Sequence, residues 1–131
     1  MAQLQIVIVT PEETTFDQTA TSVVLPLFDG EAGILPGHAP MIGRLGPGEV
    51  RVQTVTGESR FYVDGGFTQI EKNVVSVLTG KSIPADEIDL NAAREALSKA
   101  ENEPTDKPEL MELRTKAIAQ ARAQIRMVEK S

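Results

Sequence analysis

The chain has no cysteine. Disulfide frameworks and thiolate metal centres are therefore excluded. With a single histidine in the sequence, zinc would have to rely on that residue and carboxylates, a poor structural set, so no metal is expected. Aromatic residues make up only 4% of the 131 residues, so a core must be built from Val, Ile, Leu and Ala. A basic surplus is lacking too. The net charge is −6 and the pI about 4.8, the wrong sign for a protein that gains affinity by neutralising phosphates, so nucleic acid is not an expected partner. No apolar run approaches the roughly 18 residues of a membrane span. The start, MAQLQIVIVTPEE, has neither a basic n-region nor a small-residue cleavage site. Internal repeats and low-complexity tracts are also lacking. The expectation is a cytoplasmic protein that reaches a membrane only through a partner.

What is present divides into two parts. From Asp106 onward there are six Lys/Arg and four acids, a segment of +2, while the rest of the chain is −8. Such asymmetry points to two units with different surfaces. In the first, residues 1–85, Gln3–Val9 alternates with Leu4, Ile6 and Ile8 on one face. Thr21–Leu27, Val50–Val55, Arg60–Val63, Phe67–Glu71 and Val74–Leu78 are short and rich in β-branched residues. Gly46-Pro47-Gly48-Glu49, Thr56-Gly57-Glu58-Ser59, Asp64-Gly65-Gly66 and Glu71-Lys72-Asn73 read as turns between them, with Gly65–Gly66 alternatively a bulge. Short strands punctuated in this way predict a sandwich or flattened barrel. In the second, residues 86–131, Leu90, Ala93, Leu97 and Ala100 form one helical stripe. Leu110, Leu113, Ala117, Ala121, Ile125 and Val128 form another. Asp89 or Asp86 is a candidate cap for the first helix, and Asp106 with Glu109 resembles a capping box for the second. The short connection predicts an antiparallel hairpin, and its alanines predict weak packing.

Candidate chemistry is sparse. Thr79-Gly80-Lys81-Ser82 ends like a phosphate-binding loop, but Val75 stands where the first glycine is required, so a strand-end turn is expected. The single histidine, His38, lies in Gly33-Ile34-Leu35-Pro36-Gly37-His38-Ala39-Pro40. As a general base it needs an acid or nucleophile beside it, and the sequence offers no second strong catalytic candidate. The acids Glu12, Glu13, Asp86, Glu87 and Asp89 read as solvated surface or helix-start charge. Arg122, Arg126 and Lys130 recur every fourth residue, either as the wet face of an amphipathic helix or as a docking strip for an acidic partner or phosphate. From residues alone, a binding or assembly role outranks an enzyme. One such reading is a stand-alone β-sandwich adaptor with a helical interaction arm.

The stretch GEAGILPGHAPMIGRLGPGEVRV, Gly30 to Val52, resembles the signature of the epsilon subunit of F-type ATP synthases, called delta in mitochondria. Gly33, Ile34, Pro36, Gly37, His38, Ala39, Pro40, Pro47 and Gly48 match the family pattern. YVDGGFTQIEKNVVSVLTG, Tyr62 to Gly80, is similar to its second block. The resemblance implies an α+β, mainly β fold: a two-sheet antiparallel sandwich of about ten short strands followed by a helix-turn-helix. It implies a non-catalytic rotor subunit in a proton-translocating complex, peripheral on the inner face of the cell membrane. Its implied partners are the gamma subunit, the c-subunit ring and, when the hairpin extends, the catalytic beta subunit. In that extended state the hairpin blocks ATP hydrolysis.

By the same resemblance Glu31, Gly33, Pro36, Gly37, His38, Ala39 and Pro40 form the gamma and c-ring interface, with Gly33 and Gly37 permitting turns and the prolines fixing φ. Arg122, Arg126 and Lys130 form the inhibitory strip. Some members bind ATP through a motif like (I/L)-D-x-x-R-A on the first helix. Here Asn91 and Glu95 depart from it in the register of Arg94. The resemblance therefore implies no obligatory cofactor and ATP only as a weak regulatory ligand, with Asp89, Arg94, Arg122 and Arg126 as candidate contacts.

Overall fold

The computed structural model describes residues 3–130, with the side chain of Lys130 outside that description. The chain forms two compact units, Met1–Pro84 and Ala85–Ser131. Among the described residues the first contains eight strands: β1 (Leu4–Val9), β2 (Thr14–Ala20), β3 (Ser22–Leu27), β4 (Gly30–Ile34), β5 (Met41–Thr54), β6 (Gly57–Glu71), β7 (Val74–Leu78) and β8 (Ser82–Pro84). Their order is β2-β1-β7-β6-β5-β3-β4, with β8 also paired to β6.

The strands number eight rather than about ten because two of them are long. Met41 pairs with Ile70, Thr54 with Gly57, and the register between β5 and β6 stays constant from one end to the other. Gly46-Pro47-Gly48 and Asp64-Gly65-Gly66, expected as turns, lie inside these strands, opposite one another. No residue is inserted, so Gly65–Gly66 is not a bulge either. Both glycines have φ of +109°, and a strand that changes layer needs such a bend. On one side of it β6 pairs with β8 through Phe61–Val63, and on the other with β7 through Phe67–Glu71.

The two halves of this ribbon enclose one core. Leu4, Ile6, Ile8, Val75 and Val77 come from one layer, and Val23, Val50, Val52 and Val63 from the other; all are 0–1% exposed. The alternation of β1 is as the sequence predicts, with Leu4, Ile6 and Ile8 inward. One pairing departs from an all-antiparallel sandwich: β1 runs parallel to β7, Gln5 beside Val74 and Val9 beside Leu78. The Thr79–Ser82 segment is the expected strand-end connection. Its Thr79 is buried, donating its N–H to the Val9 carbonyl at 3.0 Å and its hydroxyl to the Lys81 carbonyl at 3.2 Å.

In the second unit a 3-10 turn, Ala85–Glu87, precedes α1 (Leu90–Glu101) and α2 (Pro108–Lys130). Asp89 caps α1, accepting the Ala92 N–H at 3.0 Å. At α2 the first helical bonds run to the Lys107 carbonyl, so Lys107 rather than Asp106 holds the cap position. Pro108, which has no N–H to lose, opens the helix. The α1 stripe of Leu90, Ala93, Leu97 and Ala100 is covered as expected. On α2, Leu113 and Ala117 are exposed, and Arg114 and Ile118 are covered in their place. The reason is Arg114, whose guanidinium donates to the Ala100 and Glu101 carbonyls at 3.1 Å each. It satisfies the open end of α1, where a cation is favoured.

Candidate interaction surface

The Leu35–Pro40 loop links the edge strand β4 to β5. Leu35-Pro36-Gly37-His38 forms a type II turn: the His38 N–H donates to the Leu35 carbonyl at 3.1 Å, and Gly37 has φ of +86°. Proline presets the first central position of such a turn and glycine alone fits the second without strain. Gly33, by contrast, makes no turn. It lies within β4, paired with Val24, with ordinary backbone angles. His38 Nδ1 lies 2.7 Å from the Ala39 carbonyl. No carboxylate or hydroxyl bonds this ring among the described residues, and no group of three metal-ligating side chains occurs among them. Ala39 and Pro40 are exposed beside it.

Glu31 lies on β4 and is drawn into a different network. Arg51 Nη1 donates to Glu31 Oε2 and to Glu49 Oε1, each at 3.0 Å, and Arg60 Nε donates to Glu49 Oε2 at 2.7 Å. Glu49 is only 8% exposed while Glu31 is 59% exposed. The hydrogen bond that Arg51 donates to Glu49 is the main influence raising the Arg51 guanidinium above its already high value, against partial burial, with Glu31 adding to it. Arg51 is therefore a fixed positive charge that anchors the one exposed carboxylate of the β4 edge. The interface residues named from the sequence thus fall into two groups, Glu31 with Gly33 on the strand and Pro36 through Pro40 in the loop.

A further feature escaped the sequence reading. On the outer face of the layer formed by β1, β7 and the facing halves of β6 and β5, Val9 lies beside Leu78, Leu78 beside Phe67, and Phe67 beside Arg44. The Arg44 guanidinium sits 4.3 Å from the centroid of the Phe28 ring. Phe28 is 65% exposed, Phe67 56% and Leu78 48%. In the next row Ile42 stands opposite Gln69 and is also exposed. Meanwhile Thr68 is buried, with its hydroxyl donating to the Ser76 carbonyl at 2.9 Å. Phe67 faces out while its threonine neighbour faces in, so the row is an exposed apolar patch of the kind that interaction surfaces present. The available signal was parity: Phe67 shares its face with Gln69 and Glu71, not with Ile70.

The four candidate nucleotide contacts do not converge. Asp89 is engaged in its cap. Arg94 pairs with Glu129 and Arg122 with Glu101, both at 3.8 Å across the hairpin. Glu101 lies seven residues beyond Arg94 on α1, which places the two ion pairs roughly 10 Å apart along the helix axis. Arg126 is exposed on α2, one turn beyond Arg122.

Fold and surface together define a binding or assembly module: a β-sandwich that presents an apolar row and a preshaped loop, followed by a helical hairpin. Residues 3–85 match the family model described as the beta-sandwich domain of the ATP synthase delta/epsilon chain. The chain is 49% identical to the ATP synthase epsilon chain of Rhodopirellula baltica, over 94% of this chain and 96% of that one. It is 36% identical to that of Halorhodospira halophila, over 98% and 94%. This chain belongs to the delta/epsilon chain family of ATP synthases. The fold is shared with a chain in the cryo-EM structure of the Euglena gracilis mitochondrial ATP synthase, OSCP/F1/c-ring. There the TM-score is 0.84 at 22% identity, over 94% of this chain and 79% of that one. A chain in the central stalk and c-ring structure from Tetrahymena thermophila gives a TM-score of 0.74 at 12% identity, over 95% and 96%.

Proposed function

We propose that this chain is a central-stalk rotor subunit of a proton-translocating F-type ATP synthase and is not itself catalytic. In this reading the sandwich joins the gamma subunit to the c-subunit ring and so couples proton flow to ATP synthesis. The hairpin restrains ATP hydrolysis by reaching the catalytic beta subunit. The chain sits on the cytoplasmic, inner face of the cell membrane, held there by the complex. The observation that carries the gamma contact is the Val9–Leu78–Phe67–Arg44 row. It is apolar at its centre, ends in a cation stacked on Phe28, and so has the aromatic and arginine anchors that dominate interface energies. Glu31, held by Arg51, is the candidate c-ring contact. The test is binding to the purified gamma subunit, with hydrolysis by the reconstituted complex measured with and without this chain. Phe67→Asp should weaken gamma binding by at least about 30-fold and leave the chain folded, since the side chain is exposed. Wild-type affinity in that variant would remove the row from the interface.

ATP enters this proposal only as a weak regulatory ligand of the hairpin, because Arg94 and Arg122 each face a glutamate. Calorimetry on the chain should show binding weaker than about 1 mM, roughly −4 kcal/mol. Micromolar affinity would overturn this and make the hairpin a nucleotide sensor.

A further inference from the structure

We propose that Asn73, in the turn between β6 and β7, is a positioning residue that holds the Leu35–Pro40 loop in its partner-recognising shape. The proposal rests on the reading, implied by the likeness of the Gly33–Pro40 stretch to the epsilon-subunit signature, that this loop meets the gamma subunit. Asn73 Oδ1 accepts the Gly37 N–H at 2.7 Å, across 36 residues of sequence. In a type II turn the second central N–H points away from the turn's own hydrogen bond and is left free for an outside acceptor. Asn73 supplies it. The other hydrogen bonds of the loop, His38 N–H to the Leu35 carbonyl and His38 Nδ1 with the Ala39 carbonyl, stay inside it. Among the described residues this amide is therefore what ties the loop to the sandwich.

The Asn73 side chain is itself held by its backbone. Lys72 and Asn73 have φ of +51° and +63°, a type I′ turn closed by the pairing of Glu71 with Val74. The Asn73 carbonyl accepts the Gln5 N–H at 2.8 Å. The position thus sets two demands at once, a left-handed backbone and a side-chain acceptor. Glycine meets the first demand only, aspartate meets both, and alanine meets neither. That difference separates the latch from the turn.

The experiment uses the full chain as wild type, Asn73→Gly, Asn73→Asp and His38→Ala. It measures thermal unfolding, exchange of the Gly37 amide proton by NMR, and affinity for the purified gamma subunit. Asn73→Gly should unfold within a degree or two of wild type, exchange at Gly37 at least about threefold faster, and bind gamma about five- to tenfold more weakly. Asn73→Asp should stay near wild type in both exchange and affinity. Unchanged exchange in Asn73→Gly overturns the latch. Fast exchange with wild-type affinity overturns its role in recognition, as does an Asn73→Asp variant as weak as Asn73→Gly. A wild-type chain that does not bind gamma overturns the partner reading and the recognition role with it, while the exchange rates still decide whether the latch exists.

Discussion

Phe16 on β2 and Phe61 on β6 meet with ring centroids 4.6 Å apart and planes inclined by 57°. The two strands belong to different layers, so this tilted pair is a point at which the layers lock together. Only 4% of the chain is aromatic, and two of the few rings are placed here. Geometry of this kind contributes beyond area burial. Phe61→Ala is expected to cost about 3–4 kcal/mol, read as a fall in the urea midpoint by circular dichroism. Phe16→Leu, at a partly exposed position, should cost about 1 kcal/mol. Additive losses in the Phe16→Leu/Phe61→Ala double variant would show that the pair does not bridge the layers in the way described.

Gly66 has no substitute at the bend. A Cβ there would lie 2.0 Å from the Leu78 carbonyl oxygen, and its φ is +109°. Backbone cannot yield as a side-chain tip would. Gly66→Ala is expected to destabilise by more than about 3 kcal/mol. Gly80→Ala, with nothing within 4 Å of the new methyl group, should be within about 0.5 kcal/mol of wild type. Thermal melts of the two variants side by side make the comparison.

Glu49, a buried carboxylate on the interior strand β5, is expected to matter more than an exposed one. Its removal leaves Arg51 and Arg60 without their shared carboxylate in a half-buried setting. Glu49→Ala should cost about 3 kcal/mol. Glu31→Ala, which loses one exposed ion pair, should cost less than about 1 kcal/mol. If Glu31 is the c-ring contact, that mild variant should nonetheless weaken coupling of the assembled complex, measured as ATP-driven proton pumping per ATP hydrolysed.

The strip of Arg122, Arg126 and Lys130 is expected to act as a unit. Within the hairpin Arg122 pairs with the exposed Glu101, a contact worth about 0–1 kcal/mol, so replacing the three by alanine should leave the hairpin folded. In the reconstituted complex the triple variant should raise ATP hydrolysis, and truncation before Asp86 should raise it at least as much. Three charges together can bias a two-state element by a few kcal/mol, and the bias should shrink at high salt. Full inhibition by the triple variant at low salt, or loss of assembly on truncation, would show that the strip is not the inhibitory element.

Much of the sandwich was legible in its sequence. The alternation of Leu4, Ile6 and Ile8 fixes β1 because a buried face repeats every second residue. Asp89 was readable as a cap, and Pro36–Gly37 as a rigid turn, because both rest on local chemistry. The β5–β6 ribbon was not readable. Glycine and proline at 46–48 and glycine at 65–66 punctuate locally, and that they stand opposite one another is a fact of pairing between distant residues. β2 was missed because an edge strand such as Thr14–Ala20 is polar on most of its length. β4 was missed because Gly30-Glu31-Ala32-Gly33 has a loop's composition. At the interaction surface the loop was visible and the outward face of Phe67 was available from strand parity, but the reach of Asn73 to Gly37 depends on tertiary placement.

The unbroken β5–β6 register also orders events in time. Its closing turn at Val55–Thr56 joins neighbours in sequence, and each further pair from Thr54–Gly57 to Met41–Ile70 extends an existing ladder. The parallel pairing of β1 with β7 joins Gln5 to Val74, a far larger loop to close and a correspondingly slower event. The nucleus is expected in the long hairpin, with β1 docking late. Val50→Ala and Val63→Ala should then slow refolding, whereas Ile6→Val should chiefly speed unfolding. Stopped-flow kinetics in urea would distinguish these two arms, and a slowed refolding arm for Ile6→Val would place β1 in the nucleus instead.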